Sequence, residues 1–276
     1  MAGETGAGVT GAAKETATQA EAPVIEVENL VARYPGAAEP TLKGVSLSIR
    51  DREILCIMGG SGSGKSTLLR QIMMLDRPAA GRVRILGHDV NRAGYRQLHR
   101  LRRRLGVAFQ GGAMFSSMTV GENLKLPLRE HARLPEAQMD IMVRMKLSLV
   151  NLEQAAAGKL PSELSGGMLK RAALARAIML DPAILLCDEP SAGLDPAVSA
   201  TIDALILKLR DAMNMTVVVV THERTSAFKI ADRIAMLDKG EILMVGTLEE
   251  LRARGSRRVQ DLLEGVADTP EVGSWI

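Results

Sequence analysis

The residues best suited to chemistry form a glycine-rich turn between an apolar run at 53–58 and a helical pattern at 68–75. They are Gly59, Gly60, Ser61, Gly62, Ser63, Gly64, Lys65, Ser66 and Thr67, which match G-x-x-x-x-G-K-[ST]. Glycine has no Cβ, so backbone N–H groups can converge on phosphate oxygens, and the following helix directs its positive N-terminus at the same charge. In such a loop Lys65 reaches the β- and γ-phosphates and the Ser66 hydroxyl binds Mg²⁺. The context favours a phosphate site over a Gly/Ser-rich linker.

Two adjacent carboxylates follow a second apolar run. Residues 184–187 read Ile-Leu-Leu-Cys, and Asp188 and Glu189 come directly after them, before a turn at Pro190. Because α/β sheets bind ligands at the carboxyl ends of their strands, Asp188 is placed to hold Mg²⁺, directly or through water. Glu189 is placed to accept a proton from the attacking water or to orient it. Taken alone, the pattern also fits an ordinary strand that ends in an acidic turn.

A third element could bind an anion. Residues 164–168 read Leu-Ser-Gly-Gly-Met and lead into a helical pattern that runs to Leu180. Ser165 is placed to cap this helix, and Gly166 and Gly167 leave backbone N–H groups open at its N-terminus. One chain does not need two separate γ-phosphate cradles for one nucleotide, so this second cradle requires an explanation.

The composition limits the class of protein. The chain has 276 residues, enough for one large domain or two small ones; 46% are apolar but only 2% aromatic, so an aliphatic core is expected. The net charge of +3 does not indicate nucleic-acid binding, which usually needs a concentrated basic face. Cys56 and Cys187 lie in apolar runs and are expected to be buried thiols in a reducing compartment, not a disulfide.

The two ends of the chain differ from the rest. Residues 1–22 are rich in Gly, Ala, Thr and Glu and lack the features of a signal peptide, so a disordered tail is predicted. Residues 266–276 carry the only tryptophan, Trp275; they form either a dimer contact on a partner subunit or a frayed end. No stretch approaches the ~20 consecutive apolar residues of a membrane helix, so any membrane span is expected to come from another chain.

The periodicity predicts an α/β fold. Strands that alternate apolar and polar residues are predicted at 23–31, 45–49 and 83–86, with an antiparallel element around 45–49. Continuous apolar runs predict parallel strands buried on both faces at 53–58, 184–187 and 217–220. A helix is predicted over 196–213, and a last pair of strands at 233–237 and 242–245. The predicted core is therefore a mostly parallel sheet with an antiparallel β element.

Only helical periodicity occurs between Thr119 and Leu180, including a Met-rich amphipathic segment from Pro135 to Val150. This pattern predicts an all-helical subdomain, at about 111–180, inserted into the core. Ahead of it, residues 92–104 contain six arginines and no acidic residue. This run is either a solvated helix face or a surface attracted to an anionic membrane leaflet.

These motifs and their order resemble the ABC-transporter ATPase family, whose signature Leu-Ser-Gly-Gly-Gln differs from residues 164–168 only at Met168. The resemblance covers most of residues 24–265 and implies a P-loop NTPase core in one ATPase domain at 23–265. It implies that Gln110 contacts Mg²⁺ or water, that Tyr34 stacks on adenine, and that His222 bonds the γ-phosphate. It also implies a D-loop over 191–195, with Asp195 at the nucleotide site. Taken alone, Tyr34 could pack in its turn, Gln110 could be a surface residue and His222 could be structural.

The family also explains the second cradle. In it, two ATPase subunits enclose two ATP molecules head to tail, so Ser165, Gly166 and Gly167 of one chain complete the Lys65 site of the other. The resemblance thus implies that a second copy of the chain is a partner, that ATP and Mg²⁺ are bound, and that Glu189, His222, Lys65 and Gln110 serve hydrolysis.

Within the family, residues 109–115, 127–131 and 161–168 look like the ATPase subunits of Mla/Mce-type lipid transporters. That likeness implies phospholipid transport across a double-membrane envelope, with integral-membrane permease subunits and an Mce-domain lipid-carrying protein as partners. It implies a peripheral position on the cytoplasmic face of the inner membrane. A permease helix is expected to dock near residues 110–126, where Met114, Phe115 and Met118 offer an apolar surface or simply belong to the subdomain core.

Two other functions stay open from the sequence. The chain could energise a different ABC importer or exporter, which would have a different permease. It could also be a soluble ABC-type ATPase that acts on ribosomes or DNA. A single cassette without a heptad insertion argues against the second possibility.

Overall fold

The computed structural model describes residues 22–265. The predicted N-terminal tail, apart from its last residue, and the predicted C-terminal dimer contact with Trp275 lie outside these residues. Within the described part, no helix is both long enough and apolar enough to cross a membrane.

The described residues form ten strands and nine α-helices. The strands are β1 (Ile25–Ala32), β2 (Leu42–Ile49), β3 (Ile54–Met58), β4 (Ala80–Ile85), β5 (His88–Asp89), β6 (Leu105–Ala108), β7 (Ile184–Asp188), β8 (Thr216–Thr221), β9 (Arg233–Asp238) and β10 (Glu241–Gly246). The helices are α1 (Lys65–Ile72), α2 (Tyr95–Arg102), α3 (Val120–His131), α4 (Glu136–Leu149), α5 (Gly166–Ala177), α6 (Pro196–Met213), α7 (Arg224–Ile230), α8 (Leu248–Arg254) and α9 (Arg257–Glu264).

The strands form two sheets. The first is four-stranded and antiparallel, in the order β2-β1-β4-β5, and the second is six-stranded, in the order β10-β9-β3-β8-β7-β6. In the second sheet every pair is parallel except β10 with β9. The predicted α/β class is confirmed: a mostly parallel sheet with an antiparallel element.

The order of strands in the larger sheet brings the predicted site residues together. β3 and β7 both pair in parallel with β8, so the carboxyl ends of all three strands lie at the same edge of the sheet. The phosphate loop follows β3, the acidic pair ends β7, and His222 follows β8. Three separate segments of the chain therefore meet at this edge of the sheet. Open α/β sheets bind their ligands at such an edge, outside the carboxyl ends of the strands.

The continuous apolar runs are buried because both faces of this sheet are covered. Along β3, Ile54, Cys56 and Met58 pack into one core, while Leu55 and Ile57 pack into the other. The second core also receives the buried face of the antiparallel sheet. Both cysteines are buried free thiols, and burial raises the pKa of Cys187 to about 12, so this thiol stays protonated at neutral pH.

Three helices, α3, α4 and α5, lie between β6 and β7, in the stretch where the inserted subdomain was predicted. α3 begins with a capping box in which Thr119 and Glu122 satisfy each other's backbone N–H groups. α5 packs against β6 as well as against α3 and α4. It therefore connects the helical layer directly to the large sheet.

The loop before α3 is held by one buried amide. The side chain of Asn123 is fully buried. Its amide nitrogen donates to the carbonyls of Phe115, Met118 and Thr119 at 3.0, 3.1 and 2.9 Å, and its oxygen accepts from the Phe115 N–H at 2.8 Å. This single side chain thereby fixes the position of Phe115.

We expect the substitution Asn123→Ala to lower the free energy of unfolding by about 2–4 kcal/mol, because buried backbone groups lose their hydrogen-bond partner. Chemical denaturation of the full chain measures the change. Asn91→Ala is the control, since Asn91 is exposed and donates one 3.3 Å bond to the Gly81 carbonyl; we expect a change within about 0.5 kcal/mol. Equal losses in the two variants would contradict the assigned role of Asn123.

Candidate functional site

The glycine-rich turn lies between the carboxyl end of β3 and the first residue of α1. Gly62 and Gly64 have φ values of 75° and 105°, which residues with a Cβ rarely adopt. The Lys65 ammonium donates to the carbonyls of Gly59 and Gly60 at 2.9 and 2.8 Å, so it folds back over the loop. The ammonium is therefore held above the loop, where a phosphate would compete for it.

Two glycines of the loop differ in what surrounds them. A Cβ on Gly59 would lie 2.0 Å from the Leu237 carbonyl oxygen of β9, so no larger residue fits without moving the backbone. A Cβ on Gly60 would meet no atom within 4 Å. The requirement for glycine at 59 therefore comes from the neighbouring strand as well as from the phosphate.

A cleft of about 510 Å³ opens beside the loop; its walls include residues 59–63, His222 and, from α9, Arg258 and Leu262. Among the residues that the structure describes, the buried Ser63 hydroxyl has no hydrogen-bond partner, which fits a group that bonds to a ligand. At the start of α1, the Tyr34 hydroxyl shares a 3.1 Å hydrogen bond with the Thr67 hydroxyl, and the tyrosine is 46% exposed. The hydrogen bond thus holds the tyrosine next to the loop, while nearly half of its surface stays exposed to solvent.

The acidic pair forms the second side of the site. Asp188 ends β7 and is half-buried, while Glu189 is buried with only 8% of its surface exposed. One Glu189 carboxylate oxygen lies 2.7 Å from Nδ1 of His222, and the other accepts from the His222 N–H at 3.4 Å. The structure therefore joins residues 33 positions apart into a carboxylate–imidazole pair at the cleft.

The charges at this edge are coupled. Burial raises the pKa of Asp188, and the nearby carboxylate of Glu189 raises it further. Burial lowers the pKa of the Lys65 ammonium, and Glu189 and Asp188 act in the opposite direction. A cation at Asp188 would relieve the repulsion between the carboxylates.

The donors fit Mg²⁺ better than a metal that needs several protein ligands. Within residues 22–265 no group of three or more His, Cys, Asp and Glu side chains could hold a metal. Asp188 and the exposed Ser66 hydroxyl offer oxygen atoms at the same edge of the sheet. Mg²⁺ commonly takes one or two carboxylates and completes its shell with water and phosphate oxygens.

The helix α5 begins as predicted, with Ser165 as its N-cap: the hydroxyl accepts from the Met168 N–H at 3.3 Å. The two glycines after it also serve packing. A Cβ on Gly167 would lie 2.6 Å from Val198 of α6, and one on Gly166 would lie 3.1 Å from Leu194. No hydrogen bond joins residues 165–167 to the phosphate loop in the part of the chain that the structure describes. Within one chain the two cradles are thus not joined by a direct hydrogen bond.

Two further predicted residues sit at loop positions. The Asp195 carboxylate caps α6 by accepting from the N–H groups of Ala197 and Val198, both at 3.0 Å. Gln110 follows β6 and is exposed, and its backbone carbonyl accepts from the Lys170 ammonium. Capping is thus the contact that the structure gives Asp195, while the Gln110 side chain faces solvent near the site.

Several residues of the site could not be singled out from the sequence. Lys170 donates to the carbonyl of Gln110 and, at 3.1 Å, to that of Glu189. The Ser191 hydroxyl donates to Glu223 at 3.0 Å, which ties the loop after the acidic pair to the residue after His222. Both contacts join residues that are far apart in sequence, so no local sequence pattern predicts them. Only the apolar spacing of Val259, Leu262 and Leu263 in α9 could have indicated the helix that lines the cleft.

The two-sheet fold, the phosphate loop, the acidic strand end and the capped signature helix together define an ABC-type ATPase cassette. The model of the family described as ABC transporter matches residues 42–192, and the chain belongs to this family.

The chain is 40% identical over 247 residues to the intermembrane phospholipid transport system ATP-binding protein MlaF of Haemophilus influenzae, covering 90% of this chain and 92% of that protein. It is 41% identical over 244 residues to the methionine import ATP-binding protein MetN 2 of Rhodopseudomonas palustris, covering 88% of this chain and 64% of that protein. Among solved structures it is similar to the ATP-binding cassette MJ0796, a dimer in a post-hydrolysis state bound to ADP and Pi. The TM-score is 0.75 at 35% identity, over 81% of this chain and 98% of that one.

Proposed function

We propose that the chain is the ATP-hydrolysing subunit that energises an ABC transporter of phospholipids or related hydrophobic molecules in a double-membrane envelope. The observation that carries the substrate class is the 40% identity to the H. influenzae phospholipid-transport protein over 92% of that protein's length. The site residues support the ATPase part of the proposal independently of the cargo.

In this proposal the loop at 59–67 binds the phosphates of ATP. Lys65 exchanges its carbonyl partners, Gly59 and Gly60, for the β- and γ-phosphates, and Thr67 positions the Tyr34 ring for the adenine. Ser66, Asp188 and Gln110 would hold Mg²⁺, which would neutralise negative charge on the phosphates.

Hydrolysis uses the pair at the end of β7 and β8. Glu189 accepts a proton from the attacking water, and His222, which is bonded to Glu189 at 2.7 Å, holds the γ-phosphate and orients the water. The Glu189 carboxylate is buried, and its partner His222 lines the cleft. A placed base of this kind contributes about 10²–10⁴-fold to the rate.

The complete site needs a second copy of the chain. The ATP held by Lys65 of one copy is also bound by Ser165, Gly166 and Gly167 of the other. Asp195 belongs to the D-loop at 191–195, which lies at the same nucleotide site. The dimeric state of the MJ0796 cassette, which is 35% identical to this chain, supports this head-to-tail dimer.

The permease docks in a groove of about 370 Å³ between α3, β6 and α5. Its lining includes Phe115, Leu126, Pro127, His131 and Arg176. Phe115 is 59% exposed although its backbone is fixed by the buried Asn123, so a rigid aromatic contact is presented to a partner. Docking there places the chain on the cytoplasmic face of the inner membrane, with an Mce-domain protein as the lipid carrier on the far side of the permease.

We expect Phe115→Asp to reduce the amount of permease that copurifies with the tagged chain by at least about 10-fold, since a buried interface charge without a partner costs about 2–5 kcal/mol. Ile141→Asp is the matched control, because Ile141 is also an exposed apolar residue, 50% exposed, but lies on α4 away from the groove. Quantitative mass spectrometry of the two purifications gives the ratio. Equal recovery of the permease with both variants would place its docking site elsewhere.

Purification of the tagged chain in mild detergent from its own membranes tests the substrate class. We expect a multi-span permease, an Mce-domain protein and extractable phospholipid. The 41% identity to a methionine import protein makes a solute importer the second candidate function. In that case the tagged chain would copurify with a different permease and without lipid. Recovery of ribosomes or DNA instead would contradict any transport function.

A further inference from the structure

Two loops of the proposed ATPase site meet at one ammonium group. Lys170, in the first half of α5, donates to the backbone carbonyl of Gln110, which follows β6, and at 3.1 Å to that of Glu189, which follows β7. These acceptors are 60 and 19 positions away in sequence. Lys170 therefore connects the signature helix to both loops with one side chain.

The backbone of Glu189 needs this support. Its φ is 48°, in the left-handed region that non-glycine residues seldom adopt because their Cβ is crowded there. Its N–H donates to the Val220 carbonyl of β8 at 2.9 Å, and its carbonyl accepts from Lys170. The peptide groups on both sides of Glu189 are thus held, which fixes the direction in which its carboxylate leaves the chain.

The helix that carries Lys170 is also attached to the rest of the glutamine-containing loop. Arg176, six residues further along α5, donates to the carbonyls of Gly112 and Ala113 at 3.0 and 2.6 Å. The other end of α5 is the Ser165 cap, which in the proposed dimer faces the partner's ATP. A displacement of α5 would therefore move the loop at 110–113 together with it and pull on the carbonyl of Glu189.

We propose that Lys170 is a positioning residue for hydrolysis: it places the Glu189 carboxylate for catalysis only when α5 and the loop at 110–113 are seated against the core. This inference depends on the proposed role of Glu189 as the base, and it adds the link by which the permease-facing loop and the signature helix control that base. Lys170 itself touches neither ATP nor water in this account.

The test compares Lys170→Met with Lys170→Arg in the complex that the tagged full chain forms, by measuring ATPase rates against ATP concentration. Methionine keeps the length of the side chain and removes the donor, so we expect kcat to fall by about 10- to 10²-fold, the range for a small displacement of a catalytic group. The KM for ATP should change by less than about 3-fold, because the phosphate loop is untouched. Arginine can still donate to two carbonyls, and we expect it to restore kcat to within about 3-fold of the original.

Arg171→Met is the control on the same helix. Arg171 donates to the Asn151 carbonyl at 3.1 Å and to the Thr201 hydroxyl at 3.2 Å, away from both loops, so its loss should leave kcat unchanged within about 2-fold. Thermal unfolding of each full-length variant separates a folding defect from a positioning defect. Where Lys170→Met is as stable as Arg171→Met, a selective loss of kcat supports the proposal.

Unchanged kcat in Lys170→Met, or a loss that arginine does not restore, would overturn the inference. Measuring Glu189→Gln in parallel distinguishes a failure of the positioning role of Lys170 from a failure of the proposed role of Glu189 as the base. An inactive Glu189→Gln beside a fully active Lys170→Met refutes only the positioning role, while rapid turnover by Glu189→Gln refutes the proposed base.

Discussion

Replacing Glu189 with glutamine is expected to lower kcat for ATP hydrolysis by about 10²–10⁴-fold while ATP remains bound. Glutamine keeps the size of the side chain and its hydrogen bond to His222 but cannot accept a proton from water. The phosphate loop and Lys65 are unaffected, so the affinity for ATP should be retained. Because the cycle then stops after binding, the head-to-tail dimer should accumulate with ATP enclosed.

Phosphate release under saturating ATP, with size-exclusion chromatography of the same sample, measures both effects. Glu223→Gln is a close control, since Glu223 follows His222 directly and the glutamine oxygen can still accept the 3.0 Å hydrogen bond from the Ser191 hydroxyl. We expect that variant to keep most of its activity. Turnover by Glu189→Gln at the original rate would show that another group is the base.

The second large effect is expected at Gly59. In Gly59→Ala the new Cβ would lie 2.0 Å from the Leu237 carbonyl oxygen, so the backbone of the loop or of β9 has to shift. Leu237 is paired with Ile242 of β10, which opposes a shift of β9. Overpacking of this kind typically costs about 1–3 kcal/mol and occasionally more. Since the strain falls on the loop that binds phosphate, we expect the Kd for ATP to rise by at least about 10-fold.

Gly60→Ala provides the matched comparison, because its Cβ would meet nothing within 4 Å. Titration with a fluorescent ATP analogue should give almost the same Kd for Gly60→Ala as for the unmodified chain. A large loss at position 60, or none at position 59, would mean that the loop adopts a different conformation from the one described.

Much of the fold was accessible from the sequence because local signals there agree with one another. The helix α6 was predicted with its observed bounds, Pro196–Met213, since Asp195 and proline mark its start. The buried strands β3, β7 and β8 read as continuous apolar runs because both faces of their sheet are covered. The phosphate loop needed only its spacing and its place between a strand and a helix.

The predictions were weaker where a distant segment decides the environment. The helix α4 buries the face with Met139, Val143 and Leu147, as expected of an amphipathic segment. However, Ile141 and Met145 are 50% and 60% exposed, whereas Lys146 is buried. The aliphatic part of Lys146 packs in the interior while its ammonium reaches Asp181. Such a position has the composition of a surface residue and can be recognised only when its neighbours are known.

The contacts that organise the site are likewise non-local. The bond from Lys170 to Glu189, the left-handed backbone of Glu189 and the close approach of Gly59 to β9 all depend on tertiary packing. A lysine on a helix usually indicates a solvated face, so its sequence context gave no sign of this role. The motif residues were thus predictable, while the residues that hold them in place were not.

In the proposed function, ATP hydrolysis by this chain drives the movement of phospholipid. The most direct test of this claim is to reconstitute the purified complex into proteoliposomes and to follow a fluorescent phospholipid with ATP, without ATP, and with the Glu189→Gln chain. We expect lipid movement only with ATP and only with the unmodified chain. ATP hydrolysis at full rate that moves a polar solute but leaves the phospholipid in place would contradict the claim and keep only the ATPase.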